Sequence, residues 1–126
     1  MARFKNWQKP TLKHGEPTKW QWVCWHPEGL EMGENVDIGA YCYLQARKGI
    51  VIGNNVQIGG HTTIYSVSTI RGLKEGKVVI EDDAEIGAHC LILPGVTIGK
   101  GAFVRAFTTV VHDVPAGKEV GPFGVW

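Results

Sequence analysis

Along most of the chain an apolar residue, usually branched, recurs at every sixth position, and mostly polar or small residues stand between. One run reads Met32, Ile38, Leu44. After two extra residues, Ile50 and Val51, a second reads Ile52, Ile58, Ile64 and Ile70, and a third runs from Ile80 through Ile86, Ile92, Ile98 and Val104 to Val110. Glycine usually follows the aliphatic residue, and the fifth slot is usually small, as at Cys42, Val56, Thr62, Ala84, Cys90 and Ala102. A helix of 3.6 residues per turn cannot hold a six-residue period on one face, and strict alternation does not fit either. A short fixed repeat predicts a solenoid. Each hexad becomes one short face and a corner of a triangular prism, and three hexads make a coil. The aliphatic and the small fifth residue point inward, and glycine takes the corner, where a positive φ is cheap for it.

Stacking the hexads three to a coil gives about four coils, beginning at Met32, Ile52, Ile80 and Ile98. Equivalent positions then lie about 4.8 Å apart, the spacing of paired strands. Cys42, Thr62, Cys90 and Thr108 form one inward column; Tyr41, His61, His89 and Phe107 run beside it on an edge. Lys48 falls on an inward slot, and the two added residues after it predict a bulge that keeps its charge in water.

The rhythm stops after Ile70 and resumes at Ile80. The intervening "RGLKEGKVV", residues 71–79, is charged and punctuated by glycine, which predicts an extruded loop. Residues 1–31 lack the repeat and read as an N-terminal arm. Within it "KWQWVCW" alternates large side chains and predicts a capping strand over the first coil, or else a platform for stacking a sugar. Residues 32–121 are the repeat domain and 122–126 a short tail.

Composition narrows the function. A chain of 126 residues with a formal charge of +1 and no basic run does not suggest a nucleic-acid or anionic-membrane partner. The start lacks an apolar leader, so the expectation is a cytoplasmic protein. Three cysteines without paired spacing, Cys24, Cys42 and Cys90, argue against a disulfide framework. Cys42 and Cys90 lie two coils apart and read as small core residues.

The stretches "VIEDDAEIGAHCLILPGVTIGKGAFV" and "TTVVHDVPAG" resemble the last coils of sugar and nucleotide-sugar acetyltransferases of the hexapeptide-repeat family. That resemblance implies an all-β, left-handed parallel β-helix, a triangular prism that assembles as a homotrimer. It implies acetyl-CoA as acyl donor in the groove between prisms, no metal, and a sugar or nucleotide-linked aminosugar as acceptor. In the family a loop at this corner carries a histidine base. Here the loop has none and offers Arg71, Lys74, Glu75 and Lys77 instead. A sugar hydroxyl needs a base of near-neutral pKa, whereas an amine needs only to arrive unprotonated. The candidate bases become His61 and His89. Tyr65, Ser66, Arg71 and Lys74 are the expected acceptor contacts. The slots matching the family's pantetheine-binding corner are Gly59, Ala88 and Ala106. His112 replaces a family lysine near the coenzyme phosphates, for which Arg105 or Lys100 could substitute. Two other classes stay open. One is a metal-dependent carbonic anhydrase of the same fold, although Ser66 and Pro94 stand where its second histidine would follow His61 or His89. The other is a scaffold without catalysis.

Overall fold

The computed structural model describes residues 4–122 and is a triangular parallel β-helix. The first face stacks Val23–Trp25, Tyr43–Gln45, Thr63–Tyr65, Leu91–Ile92 and Thr109–Val110. The second stacks Leu30–Met32, Ile50–Ile52, Val78–Ile80 and Thr97–Ile98, extended by a parallel bridge from Ile98 to Val114. The third stacks Asp37–Ile38, Gln57–Ile58, Glu85–Ile86, Phe103–Val104 and Glu119–Val120. Met32, Ile52, Ile80 and Ile98 pair in the register the hexads imply.

The inward aliphatic and its small partner two residues earlier fill the prism. Ile50, Ile52, Ile64, Ile80, Ile92 and Ile98 are essentially sealed from solvent. Burying each such side chain stabilises by about 1.5–3 kcal/mol. The glycine after the aliphatic residue does not take the positive φ expected of it; it lets coils close up, since a Cβ on Gly87 would stand 2.5 Å from the Ala106 nitrogen of the next coil.

The prism has one coil more than the four read from the hexads, because Val23–Trp25 adds a side before them, paired with Tyr43–Gln45, and the Val114 bridge and Glu119–Val120 add two sides after them. The solenoid therefore begins inside the segment assigned to the arm. Trp22 stands at the head of the column of Cys42, Thr62, Cys90 and Thr108, is 3% exposed, and closes that end. Trp7 in the remaining arm donates its indole N–H to the Val36 carbonyl at 2.9 Å. Of the short tail only Pro122 lies within the described residues.

The break in rhythm is a β-hairpin whose limits differ from the expected 71–79. It leaves the prism after Tyr65 and rejoins it at Val78, with Val67–Ser68 paired antiparallel to Lys74–Glu75. Val78 is fully buried on the second face and belongs to the core. Ile70, counted with the inward aliphatics, is 77% exposed near the hairpin tip. Ser68 sits on the hairpin opposite Lys74. The two added residues before Ile52 do what the sequence implied: Ala46 turns inward, and Lys48 stays exposed with its ammonium 3.6 Å from Glu75 on the hairpin.

Candidate active site

Two corners of the prism each repeat one backbone pattern. At the corner from the second to the third face, Asn35, Asn55, Asp83, Gly101 and Gly117 adopt positive φ. Glycine, asparagine and aspartate tolerate this conformation cheaply. At the corner from the third to the first face the same conformation is taken by Tyr41, His61, His89 and Phe107, with φ of 64°, 59°, 57° and 62°. For ordinary side chains it costs roughly 1–2 kcal/mol per residue. The rings recover part of that by stacking: Tyr41 on His61 at 5.1 Å, His61 on His89 at 4.6 Å and His89 on Phe107 at 4.9 Å. All four are exposed. A corner that could be built from asparagine and glycine is instead a solvent-facing ladder of two imidazoles between two aromatic rings, and costly backbone of this kind makes it the candidate site.

The inward column beneath the ladder holds this corner in place. The Cys42 thiol donates to the Gly59 carbonyl at 3.1 Å, the Thr62 hydroxyl to the Gly87 carbonyl at 3.1 Å, and the Cys90 thiol to the Arg105 carbonyl at 3.1 Å. Each bond ties one coil to the next directly under a ring of the ladder.

The two corners differ again one residue before the left-handed position. At the first, side chains satisfy the amides: Glu34 N–H donates to Asn54 Oδ1 and Asn54 N–H to Asp82 Oδ1. At the ladder corner the matching residues are Gly60, Ala88 and Ala106, which carry no side-chain acceptor. Among the described residues the N–H groups of Gly60 and Ala88 find no partner. They form a column of backbone donors beside the imidazoles.

This corrects one expected residue. Gly59 is not level with Ala88 and Ala106. Its N–H donates to Ile86, its carbonyl accepts the Cys42 thiol, and a Cβ there would stand 2.5 Å from the Ala88 nitrogen. Gly59 serves coil stacking and has no free group for a ligand. Gly60 takes its place, and aligning "IGGH" on "IGAH" already carries that signal.

The ladder and the hairpin flank opposite edges of the first face. His61 enters the strand Thr63–Tyr65 and Ser66 leaves it. The outer surface of this face is apolar and aromatic, with Trp25, Tyr43 and Tyr65 in a chain of ring contacts. Desolvation pushes the Tyr43 phenol above its ordinary range. Tyr65 lies on this floor, half-buried. Ser66, expected to touch the acceptor, does not: it is fully buried, its hydroxyl donating to the Gln45 carbonyl at 2.7 Å and accepting from the Lys48 N–H at 2.9 Å. It pins the hairpin base to the preceding coil. Arg71 is at the hairpin tip and Lys74 on its return strand, both exposed.

The expected phosphate contacts are arranged differently. Arg105 is engaged by Glu119, with its Nε 2.7 Å from Oε2 and a second contact through Nη2. His112 is exposed beside Asp113, whose carboxylate accepts from the Thr97 N–H at 2.8 Å. Burial pushes the Cys42 thiol up to about 11 and the Cys24 thiol to about 12, and raises Cys90 as well. A thiol so placed is a poor nucleophile. Among the described residues no three histidine, cysteine or carboxylate side chains converge as a metal site would need.

Comparison with known proteins gives this geometry its relatives. Residues 30–66 match the model described as the hexapeptide repeat of succinyl-transferase, and residues 77–112 that of the bacterial transferase hexapeptide. Together they span more than half of the chain, which belongs to this hexapeptide-repeat transferase family. Over 91 residues it is 35% identical to a serine acetyltransferase of Bacillus licheniformis, covering 69% of this chain and 42% of that protein. Over 68 residues it is 46% identical to a 2,3,4,5-tetrahydropyridine-2,6-dicarboxylate N-acetyltransferase of Staphylococcus aureus, covering 54% of this chain and 28% of that one. A hexapeptide-repeat acetyltransferase of Vibrio cholerae, solved with acetyl coenzyme A, superposes with a TM-score of 0.74 at 30% identity, over 79% of this chain and 59% of its own. The fold is the left-handed parallel β-helix of these acetyltransferases. The chain spans less than half the length of the curated relatives it matches.

Proposed function

We propose that this chain transfers an acyl group, acetyl in the first place, from coenzyme A to a sugar or nucleotide-linked aminosugar, at the ladder corner beside its aromatic first face. The observation that carries the reading is the pairing, on one edge, of two exposed imidazoles with the unpaired amide column of Gly60 and Ala88. Strand-like bonds from those amides suit the carbonyls of a pantetheine arm, with Ala106 continuing the column. The imidazoles then stand next to the thioester.

Transfer is direct, in a ternary complex. The acceptor oxygen or nitrogen attacks the thioester carbonyl, a tetrahedral oxyanion forms, and its collapse breaks the carbon–sulfur bond and expels the coenzyme thiolate. His61 or His89 takes the proton the acceptor loses and can return it to the thiolate. No covalent acyl-enzyme is needed, in keeping with the raised cysteine thiols. Tyr65 on the aromatic floor offers the acceptor a stacking surface. Arg71 and Lys74 on the hairpin offer charge to an anionic acceptor such as a nucleotide diphosphate.

The working unit in this reading is a homotrimer. The apolar first face would be covered by a neighbouring prism, which brings the neighbour's hairpin toward the ladder and closes a groove between subunits. The reading is tested by calorimetric titration with acetyl-CoA alongside the solution mass, followed by a screen of sugars and aminosugars for thiol release. Saturable binding near one molecule per chain of a trimer supports it. A trimer that binds no coenzyme at millimolar concentration overturns it in favour of a scaffold.

A further inference from the structure

The N-terminal end of the prism is capped but not filled. An exposed end of a β-helix presents its inward residues to water, so terminal coils need a cover. Here the cover is the arm, fixed where the Trp7 indole reaches the Val36 carbonyl. Between arm and prism lies a cavity of about 780 Å³. That is within the roughly 300–1,000 Å³ typical of small-molecule sites.

The lining is segregated. Trp22, Met32, Val36 and Ile38, the end of the core, form an apolar floor. Lys5, Lys9 and Lys19 stand in the wall, against the single carboxylate of Asp37. All three lysines are exposed, and the Lys19 ammonium lies 4.6 Å from the Trp20 ring centroid. Trp20 is itself 47% exposed at the same wall. An aromatic, apolar bed edged by an excess of positive charge complements a flat apolar body carrying a negative charge.

We propose that this cavity is a second binding site, for a small amphipathic anion with a planar or hydrocarbon body and a carboxylate, sulfonate or phosphate head. It is separate from the transfer groove, because it is built on the prism end and the arm, whereas the unpaired amides of Gly60 and Ala88 lie on the middle coils. The body lies on Trp22 and the floor, and the head meets Lys9 and Lys19 at the rim.

The test uses anilinonaphthalene sulfonate, which has this chemistry and reports burial by its fluorescence. The expected result is saturable binding of one molecule per chain, unchanged by saturating acetyl-CoA. It weakens about tenfold or more in a Lys9→Glu, Lys19→Glu variant. The neutral analogue phenylnaphthylamine should bind more weakly to the parent and be insensitive to the charge reversal. Both lysines are exposed, so the variant's melting temperature should match the parent's; a Lys9→Gln, Lys19→Gln variant with intermediate affinity guards against a folding effect. Dye displacement by acetyl-CoA, or equal dye affinity in parent and charge-reversed protein, overturns the proposal.

Discussion

The imidazoles of His61 and His89 lie face to face, their centroids 4.6 Å apart and their planes 3° from parallel. The fold imposes this. Coils of a parallel β-helix rise by about 4.8 Å, close to the distance at which rings stack, so like residues at one corner align without a dedicated packing scheme. Stacking occupies the ring faces, and both residues remain exposed. A ladder of this kind presents its rings in a row along one corner of the prism.

If one of these histidines is the base, His61→Ala or His89→Ala should lower turnover by about 100- to 10,000-fold. The other substitution should cost less than about tenfold, through loss of a stacking neighbour worth about 0.5–1.5 kcal/mol. Both side chains are exposed, so melting temperatures should change little. The measurement is kcat at saturating acetyl-CoA with one acceptor. Two variants at parental rate would remove the histidine base and leave an amine acceptor that arrives deprotonated.

Gly59 and Gly60 should respond differently to alanine. At Gly59 the new methyl meets backbone of the next coil at 2.5 Å, and backbone cannot swing aside. The stack must open locally, at a cost of about 3 kcal/mol or more. At Gly60 the nearest atom is the Ala40 carbonyl at 3.0 Å, which needs only a small shift. Chemical denaturation should show a large loss for Gly59→Ala and a small one for Gly60→Ala. Coenzyme affinity in the folded Gly60→Ala protein should persist, as Ala88 already carries a methyl at the equivalent slot.

Ser66→Ala removes a hydroxyl that satisfies the Gln45 carbonyl and the Lys48 N–H inside the prism. Leaving buried partners unmatched costs about 1–3 kcal/mol. The loss should appear in denaturation and as faster amide exchange at the hairpin base. The acceptor KM should stay near parental, because Ser66 is out of the acceptor's reach. A selective rise in KM with unchanged stability would put the hydroxyl back at the substrate.

The cysteines set a limit at alkaline pH. Unfolded thiols ionise near 9.0, whereas burial holds folded Cys42 to about 11 and Cys24 to about 12. Above about pH 9 the unfolded chain has released protons that the folded chain still holds, so its share of the equilibrium grows. Stability should be intact below that pH and decline as pH rises through the folded values. At pH 8 a thiol reagent should modify the native protein only as fast as it opens, and all three cysteines rapidly in denaturant.

Most of the prism was legible in the chain because its determinants are local and repeated. An aliphatic residue every sixth position, a small one two places earlier and glycine at the bend define each face within a few residues of sequence. Stacking those units by sequence alone aligns Met32, Ile52, Ile80 and Ile98, and places Tyr41, His61, His89 and Phe107 on one edge.

What the tertiary structure decided lies where the repeat is absent or a residue serves two neighbours. Val23–Trp25 carries no hexad glycine, yet it pairs with Tyr43–Gln45 because the end of a solenoid must be covered, and Trp22 is large enough to cover it. Ile70 and Ser68 continue the six-residue count but leave the prism, because the hairpin's own pairing of Val67–Ser68 with Lys74–Glu75 outcompetes a further rung. Gly59 lies against the Ala88 backbone of the following coil, whereas Gly60 meets only the Ala40 carbonyl of the preceding one. The guanidinium of Arg105 is set by Glu119 one coil away. The period determines what points inward. Contacts between coils, which join residues some twenty positions apart, decide which outward groups remain open to a ligand.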